Sequence, residues 1–278
     1  MNRLHLISIV GALFFACVSA HADIEFESFG AEVKTVPEEV SWYPGKSYDT
    51  ALAHESSTMV LETGTTLDKD ARSYDSATFI MNGGIVSDEV WAMDSSTFHI
   101  NGGEVYAESR AYNGTVNLNG GTTLKAWAEQ SGEFTMTGGT VGWDAFAGDN
   151  AVFKMSGGEL GVQLMDRNGA INVQQEGDVY LKAVDFGSGF SGGQIITLSD
   201  LGADPQGYSW ANGTQFDLTF VDGSTTTLDF RARNGSSIPS SEWKGSLYLV
   251  GVPEPASWAG ICGVCALFAL LGRGKARK

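Results

Sequence analysis

Few residues here are of types that could do chemistry. Between residues 23 and 252 the chain has two histidines, His54 and His99, and no cysteine. A metal site needs several ligands at close spacing, and neither histidine has a second one beside it. No Ser/His/Asp set is assembled by spacing. The carboxylates Asp68, Asp70, Asp75, Asp88, Glu89 and Asp94 crowd one stretch. Such oxygens suit Ca²⁺, and they equally suit a solvated face. Arg72 and Arg110 stand 38 residues apart, and Trp91, Trp127 and Trp143 with Tyr74, Tyr106 and Tyr112 provide aromatic surface. These suggest two uses: sugar stacking, or packing within a β-rich body. Cys262-x-x-Cys265 has redox spacing but lies in an apolar run without a βαβ context. No catalytic set, metal or cofactor is therefore expected.

The elements that must position these residues follow from a repeat. Ser96 to Val105 reads STFHINGGEV, and related stretches end on Gly-Gly pairs throughout the middle of the chain: Gly83-Gly84, Gly102-Gly103, Gly120-Gly121, Gly138-Gly139 and Gly157-Gly158. Counting Gly64 before them and Gly177 after them as further anchors, the spacings are 20, 19, 18, 18, 19 and 19 residues. A fixed period of this length signals a solenoid. Five places before the anchor stand Met59, Phe79, Phe98, Val116, Phe134 and Phe153, and three places before stand Leu61, Met81, Ile100, Leu118, Met136 and Met155. The residues between them are mixed, which is the alternation of a strand with one buried face.

Asn82, Asn101, Asn119, Thr137 and Ser156 precede the glycines. Their side chains are suited to bonding the local backbone or stacking as a ladder, and the glycines are expected to turn the corner with positive φ. The period is too short for a helix with two strands. The spacing predicts an all-β fold: a single-stranded parallel β-helix of about seven coils, wound right-handed, about 30 Å long, with strands stacked about 4.8 Å apart.

The flanks divide as follows. Residues 1–22 read as a signal peptide, with Arg3, an apolar run from Leu6 to Val18 and the small-x-small pattern Ala20-His21-Ala22. Residues 23–56 do not match the repeat and read as an N-terminal cap; residues 57–184 are the coils. Residues 185–250 read as a small antiparallel β region, with a hairpin turning at Asp222-Gly223.

Residues 252–278 form a three-part tail. Val252-Pro253-Glu254-Pro255 is followed by an apolar run, 256–271, and a basic end of Arg273, Lys275, Arg277 and Lys278. The run suits a short transmembrane helix, with its basic end on the cytoplasmic side. This order resembles the PEP-CTERM sorting signal of Gram-negative bacteria, although Gly274 and Ala276 spread the basic end. The resemblance implies recognition of the Pro-Glu-Pro by an exosortase-type enzyme and removal of the tail. A tail retained as a plain anchor is the other reading.

With both ends set aside, Arg3 and the four tail cations leave 12 of 17 basic residues. Only Glu254 is lost from the 33 acidic ones, so the segment 23–252 carries a net charge of −20. A body this acidic repels nucleic acid, and no such partner is expected. The expected partners are the Sec export machinery, the inner membrane before processing and the exosortase-type enzyme; an extracellular polysaccharide is a further candidate. The expected function is that of an exported, non-enzymatic protein of the cell envelope or extracellular matrix. The alternative is a carbohydrate-active β-helix, either a polysaccharide lyase or a glycan-binding module.

Overall fold

A computed structural model describes residues 25–36, 49–161, 169–173, 177–187, 189–197, 214–232 and 246–252. The signal peptide, Pro253-Glu254-Pro255, the apolar run 256–271 and the basic end lie outside the described residues. Among those described there is no helix long and apolar enough to cross a membrane.

The described chain is an all-β parallel solenoid with a small antiparallel supplement at its C-terminal end. It winds through about six glycine corners, at Gly64, Gly84, Gly103, Gly121, Gly139 and Gly158, each with φ between +72° and +92°. Two long sheets result. In one, strands Ala71–Ser73, Val90–Met93, Glu104–Tyr112, Thr122–Glu129 and Ala145–Ala147 pair in parallel, each with the next. In the other, Thr58–Leu61, Thr78–Met81, Thr97–Ile100, Thr115–Leu118, Glu133–Met136 and Val152–Met155 do the same. Short strands such as Ile85–Val86 and Thr140–Val141 follow the glycine corners and pair with their equivalents in neighbouring coils.

The alternation in the sequence sets the register. Met59, Phe79, Phe98, Val116, Phe134 and Phe153 share one inward column through direct pairing, and all are fully buried. Phe79 lies on Phe98 with centroids 4.4 Å apart and planes 7° apart. Phe134 lies on Phe153 at 5.6 Å. Val116 separates the two pairs. A column of this kind adds ring contacts to the burial of apolar area.

The glycine pairs divide their work. Only the second member has positive φ; Gly83, Gly102, Gly120, Gly138 and Gly157 do not. The expectation that both glycines supply φ > 0 is corrected accordingly. The first glycine is required by proximity: a Cβ at Gly120 would lie 2.4 Å from the Asn101 carbonyl oxygen of the coil before it. The asparagines beside them form the ladder. Asn119 Nδ2 donates to Asn101 Oδ1 and Asn101 Nδ2 to Asn82 Oδ1, each at 3.0 Å, while Asn82 Nδ2 donates to Glu62 Oε1 at 2.9 Å.

The described coils also have a second left-handed corner, made by Gly30 in the first of them and by non-glycine residues in the six that follow. Glu55, Asp75, Asp94, Asn113, Gln130 and Asp149 all have φ between 55° and 61°. Asp and Asn tolerate this region better than most residues. Their side chains also bond across coils: Asp75 Oδ2 accepts from the Glu55 N–H at 3.0 Å, and Asp149 Oδ2 from the Gln130 N–H at 3.2 Å.

Gly177 is not a seventh glycine corner. It lacks positive φ and stands just before strand Asp178–Ala183, where Gly132 and Ala151 stand in earlier coils. Asp178 pairs with Val152, 26 residues before it, so this coil is longer than those ahead of it. The near-match of Gly177 to the period is a coincidence of that longer coil.

The flanks continue both sheets. Within 23–56, strands Glu25–Ser28 and Val33–Val36 pair in parallel with Thr50–Ala53 and Thr58–Leu61, so both sheets begin before the recognisable repeat. Within 185–250 the Asp222-Gly223 hairpin forms, with Thr214–Thr219 antiparallel to Thr225–Ala232. Its second strand nevertheless extends the first sheet in parallel, on Gly169–Val173. Ser246–Gly251 likewise extends the second sheet on Asp178–Ala183, and Ile195–Thr197 adds to it antiparallel.

Candidate functional site

The first sheet gathers on one outward face most of the residues that could do chemistry. Parallel pairing puts Arg72 beside Trp91, Trp91 beside Arg110, Arg110 beside Trp127 and Trp127 beside Phe146. The side chains stack in the same order. The Arg110 guanidinium carbon lies 4.9 Å from the Trp91 ring centroid and 4.5 Å from that of Trp127. Arg72 lies 5.9 Å from Trp91, and Trp127 meets Phe146 at 5.0 Å. Each indole thus has a neighbour from the coil before it and another from the coil after it.

Carboxylates flank the column. Arg110 Nη1 donates to Glu129 Oε2 at 3.3 Å, and Nη2 donates to Glu89 Oε1 at 3.3 Å and to Glu108. Lys125 Nζ donates to Glu108 Oε1 at 2.7 Å. The Trp91 indole N–H donates to Glu89 Oε2 at 2.8 Å, and Arg72 binds Asp70. One guanidinium therefore holds three carboxylates from three successive coils. Arg110 Nε is buried without an acceptor, a cost set against these charge-assisted bonds.

The carboxylates respond differently. Burial pushes Glu89 above the usual carboxylate range, with Arg110 opposing it. Burial also raises Glu129, again against Arg110. At Glu108 burial pushes upward too, but the hydrogen bond from Lys125 and the charge of Arg110 outweigh it, and the net shift is downward.

The sequence candidates fall out as follows. Arg72 and Arg110, legible only as two arginines two coils apart, belong to one column and have convergent partners. Trp91 and Trp127 join them; Trp143 is 40 % exposed at a corner, with Lys125 over its ring at 5.4 Å, and Tyr106 is 54 % exposed. His54 is a packing residue, stacked between Phe29 and Tyr74 at 4.8 Å on each side. His99 points outward in the second sheet, between Ile80 and Asn117. The six carboxylates do not converge: Asp70 and Glu89 serve the arginines, and Asp75 and Asp94 serve the second corner. Among the described residues no group of three or more His, Cys, Asp or Glu side chains could hold a metal ion. Glu108, Lys125 and Glu129 escaped the sequence reading. Counting from the glycine anchors places Glu89 and Glu108 at one position, five residues on, but Lys125 stands only four after Gly121; a one-residue register shift between Val105 and Glu108 brings it beside Glu108.

Of the sorting motif, only Val252 is described. Its N–H donates to the Ala183 carbonyl at 2.9 Å, immediately after the last strand, Ser246–Gly251. Comparison with protein-family models, curated proteins and solved structures finds no match to this chain.

Proposed function

We propose that this chain is an exported, non-enzymatic component of the cell envelope or extracellular matrix. In this reading the solenoid, wound right-handed, is a rigid body, and residues 252–278 are a PEP-CTERM-like sorting signal with a transmembrane helix over 256–271. The observation that carries the non-enzymatic part is the arrangement around Arg110. Its cation, its neighbouring indole faces and its three carboxylates are occupied by one another. A lyase or hydrolase needs such groups turned toward a substrate, and a sugar-stacking strip needs uncovered ring faces. Stacked in this way, the face fastens coil to coil.

The sorting part is supported by position. The last strand ends at Gly251 and the motif begins at Val252, so the rod would hang from its own end, with no linker between body and signal. The chain would pass the inner membrane through the Sec route, be held there by 256–271 and be processed by an exosortase-type enzyme.

Fractionation of the native host tests this reading. Glu254→Ala leaves the apolar run and the basic end as they are, so insertion should survive while processing fails. The variant should accumulate in the inner membrane, with the parent beyond it. Identical distribution of the two would remove the sorting motif from the account.

A further inference from the structure

The second sheet carries an outward feature at its C-terminal end that plays no part in the coil-to-coil contacts of the Arg110 face. Tyr180 and Tyr248 pair in register and stack with centroids 4.4 Å apart and planes 6° apart. They border an open cleft of about 540 Å³ whose lining includes Gly192, Gly193, Ile195 and Val250. Ile195 is 61 % exposed and Val250 38 %. Lys182 pairs with Val250 and is exposed beside it. A side chain at Gly192 would meet Gly251 Cα at 2.3 Å, so bare backbone is required where the cleft closes on the last strand.

The position of this patch limits what can cover it. Only Val252, Pro253, Glu254 and Pro255 separate Gly251 from the apolar run that starts at Ala256. Four fully extended residues reach at most about 14 Å. Val252 is itself tied back to Ala183, which shortens the reach. A membrane-inserted run therefore brings this end of the rod to the headgroup layer. Tyrosine with aliphatic side chains and a lysine is the mixture that suits that layer.

We propose that the Tyr180–Tyr248 cleft is a membrane-interface docking surface, seating the C-terminal end of the rod on the bilayer while the tail is inserted. The proposal rests on the membrane reading of 256–271. The net charge of the body, −20 over residues 23–252, disfavours broad contact with anionic lipid, so the contact falls to the uncharged and cationic side chains of this patch.

The test uses the chain from Asp23 to Lys278, without the signal peptide, in vesicles of phosphatidylethanolamine and phosphatidylglycerol, with Cys262 and Cys265 replaced by alanine. A nitroxide is placed at Ile195→Cys, at Val250→Cys or, as a mid-rod reference, at Thr122→Cys; all three positions are exposed. Flotation with the vesicles after an alkaline wash reports insertion of the tail. Collision with an aqueous nickel reagent reports docking. The expected result is flotation of every variant, with access at 195 and 250 several-fold below that at 122. Adding Tyr248→Ser to the Ile195→Cys chain should restore access without loss of flotation. Flotation with equal access at all three positions would overturn the docking surface alone. Failure to float would overturn the membrane reading of the tail, and the docking surface with it.

Discussion

Phe98 and His99 are neighbours in sequence with opposite duties. Phe98 is fully buried against Phe79, whereas His99 faces outward. Phe98→Asp would bury a carboxylate without a partner and should abolish cooperative folding, while His99→Asp should shift the melting temperature little. Equal losses in the two, followed by circular dichroism, would mean that the strand faces are wrongly assigned. The glycine pair makes a subtler case. Gly103 needs its φ of 88°, and Gly102 needs the space that a Cβ would take, 2.7 Å from the Asn82 carbonyl oxygen. A Cβ at Gly103 would also lie 2.5 Å from the Gly84 carbonyl oxygen, so Gly102→Ala and Gly103→Ala should each cost about 1 kcal/mol or more in chemical denaturation, the first through crowding alone and the second through crowding and φ together. Parental stability of Gly102→Ala would show that the coils are not packed this closely.

At the scale of elements, the inward columns and the asparagine ladder were legible because each coil repeats the same demand at the same place. Hydrophobic alternation, the residue before the glycines and the period together define the strand Thr97–Ile100 and its equivalents. The second corner was not legible. Its residues are Glu, Asp, Asn or Gln rather than one type, because αL tolerance and cross-coil bonding admit several polar side chains. The Arg110 arrangement was missed for a different reason. Its members come from three coils, and their meeting depends on register, not on proximity in sequence. Gly177 was misread because the longer coil that ends there preserved the count while shifting the role. Sequence also hid the parallel strands in both flanks, where too few residues pair to show a period.

The Arg110 face also makes stability depend on pH. Glu89 and Glu129 have pKa values raised by burial, so the stability they contribute is present in acid and is lost as pH rises through their folded values. Glu108 has a lowered value; its contribution is present above the ordinary carboxylate range and is lost as pH falls through its folded value. On acidification from neutral, Glu89 and Glu129 should take up protons first, and Glu108 last. The melting temperature should therefore rise on acidification from neutral pH, pass through a maximum and then fall. Scanning calorimetry across this range checks the sign, and a steady decline from neutral pH would contradict it.

At the scale of the molecule, the described residues form a stack whose interior is apolar columns and whose coils are cross-linked outside by Arg110 on the first sheet and by the asparagine ladder at the glycine corner. Such a body gives length and stiffness from short repeats, and the proposed sorting signal follows directly on its last strand in sequence. The central claim is that the body is exported and released from a tail that served only to sort it. Intact-mass measurement of the chain recovered from each cell fraction of the native host tests this most directly. The account predicts a species beyond the inner membrane that begins near Asp23 and lacks the basic end through Lys278. A chain that keeps Lys278 in every fraction would contradict it.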